Sequence, residues 1–172
     1  MSEDKIKEIL AKIRERYQNK DLEAEETKEL ISFLLGEELY AFDTYSVREI
    51  IRPPVMYDVP ATPDYLIGII NLRGEVFAVI DFKMFLGLPK INIGPESRVI
   101  ISGGDVRLGF LADSILDIIH VPVSQIQAPL ATIEKINIDF FEGEVLLDDK
   151  LLSILNIQKI MDSQEITDPR GT

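Results

Sequence analysis

Few side chains in this 172-residue chain could do covalent or metal chemistry, and their spacing argues against it. His120 is the only histidine and there is no cysteine, so no zinc, copper or thiol site is expected. No Gly-x-Ser-x-Gly elbow accompanies the histidine, which leaves no nucleophile–base arrangement. Asp43, Asp113 and Asp117 could act as acid–base carboxylates only if a fold gathered them, and no second catalytic residue type anchors them. Glu142, Glu144, Asp148 and Asp149 lack calcium-loop spacing and read as a solvated acidic surface. Gly103-Gly104 has neither the lysine nor the spacing of a phosphate loop and reads as a hairpin turn. The residue that stands out is Arg73, whose guanidinium offers five fixed donors suited to a carboxylate.

The elements around these residues are mostly short strands. Apolar alternation marks Glu29–Leu35, Leu39–Phe42, Tyr65–Leu72, Glu75–Ile80, Arg98–Ser102, Val106–Ala112, Ile115–Val121, Glu144–Leu147 and Lys150–Leu155. Turn clusters such as Gly36-Glu37, Pro53-Pro54, Pro60–Pro63 and Ser102–Asp105 separate them. Residues 3–18 read as one amphipathic helix, with Ile6, Ile9, Leu10, Ile13 and Tyr17 on one stripe and Ser2 as its cap. That stripe is expected to pack on the protein's own barrel. Residues 19–28 read as a polar linker. Such a pattern indicates barrels and not a βαβ sheet.

An internal repeat organises the strands. Ala41–Ile51 aligns without gaps to Gly109–Ile119 at an offset of 109 − 41 = 68, and Leu72–Asp81 aligns to Leu147–Asn156 at 147 − 72 = 75. Each copy has a two-residue polar loop between apolar strands, Arg73-Gly74 or Asp148-Asp149, then an N-cap candidate, Asp81 or Asn156. Short helical turns follow at Phe82–Leu86 and Ile157–Met161. Two small barrels side by side are expected, mainly β, with a split near Pro89–Ser97. Arg73 faces Asp148 in the repeat, so the hairpin itself does not demand arginine.

Composition limits the partners. Thirty acidic against 18 basic side chains give a formal net charge of −12, which repels nucleic acid and anionic membrane surfaces. No apolar run reaches the roughly 20 residues that span a bilayer, and the N-terminus is unlike a secretory signal. A cytoplasmic location fits the absence of cysteine.

Residues Gly68–Asp81, centred on Asn71-Leu72-Arg73-Gly74, resemble the CheW family of chemotaxis coupling proteins. Val47–Ile50, Gly109–Ile115 and Gly143–Met161 agree in order, so the resemblance spans about residues 29–161. It implies two SH3-like barrels, about 29–94 and 95–161, with terminal elements able to exchange between them. The N-terminal helix and linker (1–28) and an acidic tail (162–172) are departures. The family implies no catalysis and no cofactor. One barrel would contact the regulatory domain of the histidine kinase CheA, and a groove would hold the cytoplasmic tip of a methyl-accepting chemoreceptor. Coupling in a non-flagellar chemosensory pathway, or an acidic ligand-binding barrel, are the alternatives. Carried over by position, Val47, Glu49, Arg73, Val99, Gly109, Ile118 and Gly143 match partner-binding places, with the choice of partner open for each. Among them Arg73 is expected to pair with Glu49, and Gly109 and Gly143 can serve the backbone as well as a partner.

Overall fold

A computed structural model describes residues 3–18, 25–129, 138–163 and 166 of the chain. The expected cap at Ser2, the linker over 19–24 and most of the acidic tail lie outside the described residues.

The elements are α1 (Glu3–Gln18), β1 (Thr27–Leu35), β2 (Glu38–Asp43), a 3-10 turn (Thr44–Ser46), β3 (Val47–Ile51), β4 (Leu66–Leu72), β5 (Glu75–Asp81), α2 (Phe82–Phe85), β6 (Arg98–Ser102), β7 (Leu108–Ala112), β8 (Ser114–Pro122), β9 (Phe141–Leu147), β10 (Lys150–Leu155) and α3 (Ile157–Met161). They form two five-stranded sheets, ordered β8-β1-β2-β10-β9 and β3-β6-β7-β5-β4, each a small barrel of SH3-like build. Strand β3 extends the reading from sequence, where its residues figured only within the repeat. Strand β9 begins three residues earlier than the alternation suggested, at Phe141.

The repeat survives at the level of register. In the first sheet β10 pairs with β2 in parallel, placing Ile154 against Ala41 and Leu155 against Phe42. In the second, β5 pairs with β7 in parallel, placing Val79 against Gly109 and Ile80 against Phe110. These are the same pairs under the two repeat offsets. The compact units therefore do not follow the expected split near Pro89–Ser97. One unit comprises residues 1–44 and 115–156, the other 45–114 and 157–172. The first two strands have left their own half of the sequence, because β2 takes as its parallel neighbour the strand that follows the later hairpin.

In the first unit Ile6, Ile9, Leu10 and Ile13 of the α1 stripe are buried as expected, while the Tyr17 side chain lies outside the described residues. Ile6, Leu10 and Ile13 are at most 3% exposed and join Leu30, Leu34, Leu39, Val145, Leu147 and Leu152 in one cluster. Each such side chain contributes about 2 kcal/mol by leaving water. Glu3 and Asp4 sit in the first turn, where the helix dipole favours anions. Strand β1 is buried on both faces from Leu30 to Leu35, so the one polar residue of that run, Ser32, needs partners. Its hydroxyl donates to the carbonyl of Asp117 at 2.8 Å and accepts from the Asp117 amide at 3.2 Å.

In the second unit Asp81 ends β5 and caps α2. Its carboxylate accepts from Met84 N at 3.1 Å and from Ile91 N at 2.8 Å, which pins the chain leaving the helix. Phe82 packs edge-on against Phe110, with ring centroids 5.0 Å apart.

Replacing Leu10 by Ala should cost about 3 kcal/mol of stability through the cavity it leaves, read as a lower urea midpoint with an unchanged slope.

Candidate recognition surface

The second unit presents β3 and the β4–β5 hairpin as an exposed, charged surface. The hairpin closes between Leu72 and Glu75, leaving Arg73-Gly74 as a two-residue loop with φ of 51° and 85°. Positive φ at both positions is the mirror-image turn that matches strand twist. Gly74 takes that conformation without cost, and its amide donates to Asn71 Oδ1 at 3.0 Å. Arginine does not; a left-handed non-glycine residue costs on the order of 1 kcal/mol, and Asn, Asp or Gly would be cheaper. Asp148 holds the equivalent place in the other unit at φ 54°. The turn thus keeps an unfavourable residue type where the repeat shows a cheaper alternative, as recognition sites commonly do.

From this position the Arg73 guanidinium pairs with Glu49 of β3, as expected from sequence. Arg48, beside it, donates to Glu75 at 2.7 Å, and Arg107 lies 3.6 Å from the same carboxylate. The Arg48 guanidinium also rests 5.8 Å from the centroid of the buried Phe77 ring. Hydrogen bonding to Arg48, then the charges of Arg48, Arg107 and Arg73, hold the Glu75 carboxyl below the usual carboxylate range despite a small opposing effect of desolvation. The cluster sets three arginines against two carboxylates on a chain whose net charge is −12. Exposed ion pairs contribute at most about 1 kcal/mol each, so stability does not account for it. Its spare guanidinium donors suit a carboxylate or carbonyl on another molecule.

The residues singled out from sequence do not all share this surface. Val47, half-buried, lies on β3 with Glu49 and pairs in register with Ser102. Val99 and Gly109 lie in the interior of the same unit. A Cβ on Gly109 would sit 2.8 Å from Val99 Cγ1 and 3.3 Å from Ile101 Cδ1, so the glycine makes room for the valine. Gly143 does the same in the first unit, where Ile126 and Gln127 cross β9 and a Cβ would come within 2.5 Å of Ile126 Cγ2. Ile118, on β8, is 47% exposed. Sequence reasoning passed over Arg48, Glu75 and Arg107. The repeat held the signal for two of them, since Arg48 and Glu75 align with Leu116 and Lys150.

The remaining charged groups are dispersed. Asp43 lies 3.4 Å from Lys28, Asp113 3.7 Å from Lys83, and Asp117 3.5 Å from Arg14. His120 Nε2 sits 2.9 Å from Glu29. Burial opposes the Lys28 charge, but hydrogen bonding to Glu142 and the charges of Glu142 and Asp43 outweigh it and raise its pKa. Glu144 corrects the expectation of a solvated acidic cluster, being 3% exposed within β9. Among the described residues no group of three or more histidine, cysteine or acidic side chains is placed to hold a metal ion. An open cleft of about 750 Å³ in the second unit has Pro53, Pro54, Met56 and Ile93 in its lining together with Asp58 and Asp64, both exposed.

Comparison with known proteins decides the family. Residues 29–165 match the family model of the CheW-like domain. The chain belongs to the CheW-like family. It is 32% identical over 147 residues to chemotaxis protein CheW of Treponema pallidum, covering 83% of this chain and 86% of that one. It is 29% identical to its counterpart in Helicobacter pylori, covering 83% and 87%. The crystal structure of scaffolding protein TtCheW from Thermoanaerobacter tengcongensis superposes with a TM-score of 0.73 at 31% identity, covering 80% of this chain and 90% of that one. The CheW-like chain is an adaptor of chemotaxis signalling. Helix α1 lies before the matched residues.

Two outcomes test this reading of the surface and interior. Gly109→Ala should destabilise the protein by about 2 kcal/mol through overpacking, and adding Val99→Ala should recover part of that loss in a urea titration. The Glu75 carboxyl, followed by NMR, should titrate below 4.5 and move back toward it in Arg48→Met. Because its folded pKa is depressed, its contribution to stability is present above the unfolded pKa and fades as pH falls through the folded one.

Proposed function

We propose that this chain couples a chemoreceptor to the histidine kinase CheA without chemistry of its own, in the cytoplasm. The observation that carries this reading is the Arg73–Glu49 pair, built on an arginine held in a left-handed turn residue whose repeat partner is an aspartate. A fold that gains little stability from this arrangement still keeps it, which fits a group reserved for another molecule. Val47 on the same strand supplies an apolar neighbour. Val99, Gly109 and Gly143 act through the shape of their units, and Ile118 contributes apolar contact from β8.

The mechanism is geometric. Holding the kinase's regulatory domain beside a receptor tip lets a receptor movement change the balance between active and inactive kinase, provided the two states bind the adaptor unequally. Contacts near or below about 800 Å² per partner suffice, since many weak contacts in an assembly reinforce one another. The dispersed carboxylates, each beside a lysine or arginine, fit a protein that does no acid–base work.

Titration with a CheA regulatory domain by calorimetry should show binding at tens of micromolar or tighter, roughly −6 kcal/mol or better. No heat or complex in that range would remove the kinase arm of the proposal. For the Arg73–Glu49 pair, Arg73→Glu or Glu49→Arg alone should abolish receptor control of the kinase, and the two together should restore part of it. A double variant no better than either single one would show that the pair does not act as a unit.

A further inference from the structure

Two carboxylates lie near the Arg73 guanidinium, and only one of them takes it. Glu49 of β3 is the partner. Glu75 stands two residues beyond Arg73 on the same hairpin, close enough for the arginine's charge to help depress its pKa. It is occupied by other groups. Its Oε2 accepts from Arg48 Nη1 at 2.7 Å, and its Oε1 faces Arg107 Nη2 at 3.6 Å. Both oxygens of the competing carboxylate are therefore committed.

The backbone sets the two arginines there. Neighbouring residues of a regular strand point to opposite faces, yet Arg48 and Glu49 of β3 both reach the β4–β5 hairpin. The register explains this. Val47 pairs with Ser102 and Glu49 with Ile101, so β3 advances two residues while β6 advances one, and Arg48 is the extra residue of a β-bulge. A bulge re-aims the side chain it carries. The Arg48 guanidinium also rests over the ring of the buried Phe77, which restricts where it can swing. Arg107 comes from a different element, as the residue that enters β7. Its carbonyl accepts from the Ala78 amide at 3.2 Å, which anchors it beside β5.

We propose that Arg48 and Arg107 are positioning residues of the recognition surface: by holding both oxygens of Glu75 they keep Arg73 on Glu49. Without them the two carboxylates compete for one guanidinium, and the Arg73–Glu49 pair becomes one of two arrangements. Arg48 and Arg107 act through Glu75 and need no contact with a partner. That the Arg73–Glu49 pair serves a receptor tip rests on the function proposed above. Which carboxylate holds Arg73 does not.

The arrangement is read from the side-chain NMR signals of the Arg73 guanidinium in the full chain. In the parent they should shift more on Glu49→Gln than on Glu75→Gln. With Arg48→Met and Arg107→Met together, they should respond to Glu75→Gln at least as strongly as to Glu49→Gln. Signals that follow Glu49 alone in both backgrounds overturn the inference and leave the proposed function standing.

Affinity for a purified chemoreceptor tip hairpin gives the second readout. The double methionine variant should bind about three- to fivefold more weakly than the parent, the scale of one exposed ion pair. Adding Glu75→Gln removes the competitor and should restore most of that loss. Glu96→Gln, the same charge change at an exposed position of the same unit, should restore none of it. A double variant that Glu75→Gln does not rescue shows that the arginines touch the partner themselves, and equal rescue by Glu96→Gln marks a diffuse charge effect. Either result overturns the positioning role. Failure of the parent chain to bind the tip overturns the receptor half of the proposed function, and the NMR comparison then decides this inference by itself.

Discussion

A parallel pair of strands cannot be closed by a hairpin, and in this protein that constraint shapes everything else. Each sheet has one parallel pair at its centre, β2 with β10 and β5 with β7. In the second unit α2 and β6 carry the chain from β5 to β7, whereas in the first the chain leaves after β2 and comes back to finish the sheet. For the first unit the return is made by β8, β9 and β10, so residues 1–44 fold with residues 115–156, while α3 belongs to the second unit. The consequence is functional as well as topological. Strand β3 and the β4–β5 hairpin, which carry the charged surface, belong to the unit of residues 45–114 and 157–172, while α1 and β8 belong to that of residues 1–44 and 115–156.

Much of this was legible beforehand because alternation and repeat are properties of the sequence alone. The helix over 3–18, most strands and the two-residue hairpin loops follow from period and turn chemistry, which depend on neighbours only. The division into units did not follow. The reading from sequence is a split near Pro89–Ser97 with terminal elements able to exchange, and nothing local distinguishes a strand that pairs within its half from one that pairs across. Register comparison resolves it: the equivalence of Ile154–Ala41 with Val79–Gly109 appears only once the partners are known.

The site was legible in a similar, partial way. Arg73 stood out because its repeat counterpart is an aspartate, and the structure adds that the position is left-handed, which makes an arginine there costly as well as unrequired. The same comparison contained Arg48, aligned with a leucine, and Glu75, aligned with a lysine, two further members of the cluster. Burial was harder to foresee. Core burial is the default for a β-branched residue in a strand, and Val99 follows it, whereas Ile118 is 47% exposed. Glycines 109 and 143 leave space for Val99 and for Ile126, contacts made by residues far from them in sequence or across a sheet. Glu144 shows the opposite failure, an acidic residue inside β9 where composition alone suggested solvent.

The central claim is that the charged surface exists to join two other proteins and transmits a signal between them. Receptor-containing vesicles, CheA and this chain, mixed with ATP, give the direct measurement: kinase autophosphorylation with and without attractant. With the chain present, phosphorylation should rise well above that of kinase alone and fall when attractant is added, and without it the receptor should have no hold on the kinase. A kinase that ignores attractant whether or not the chain is present, or obeys it equally in both cases, would contradict the account.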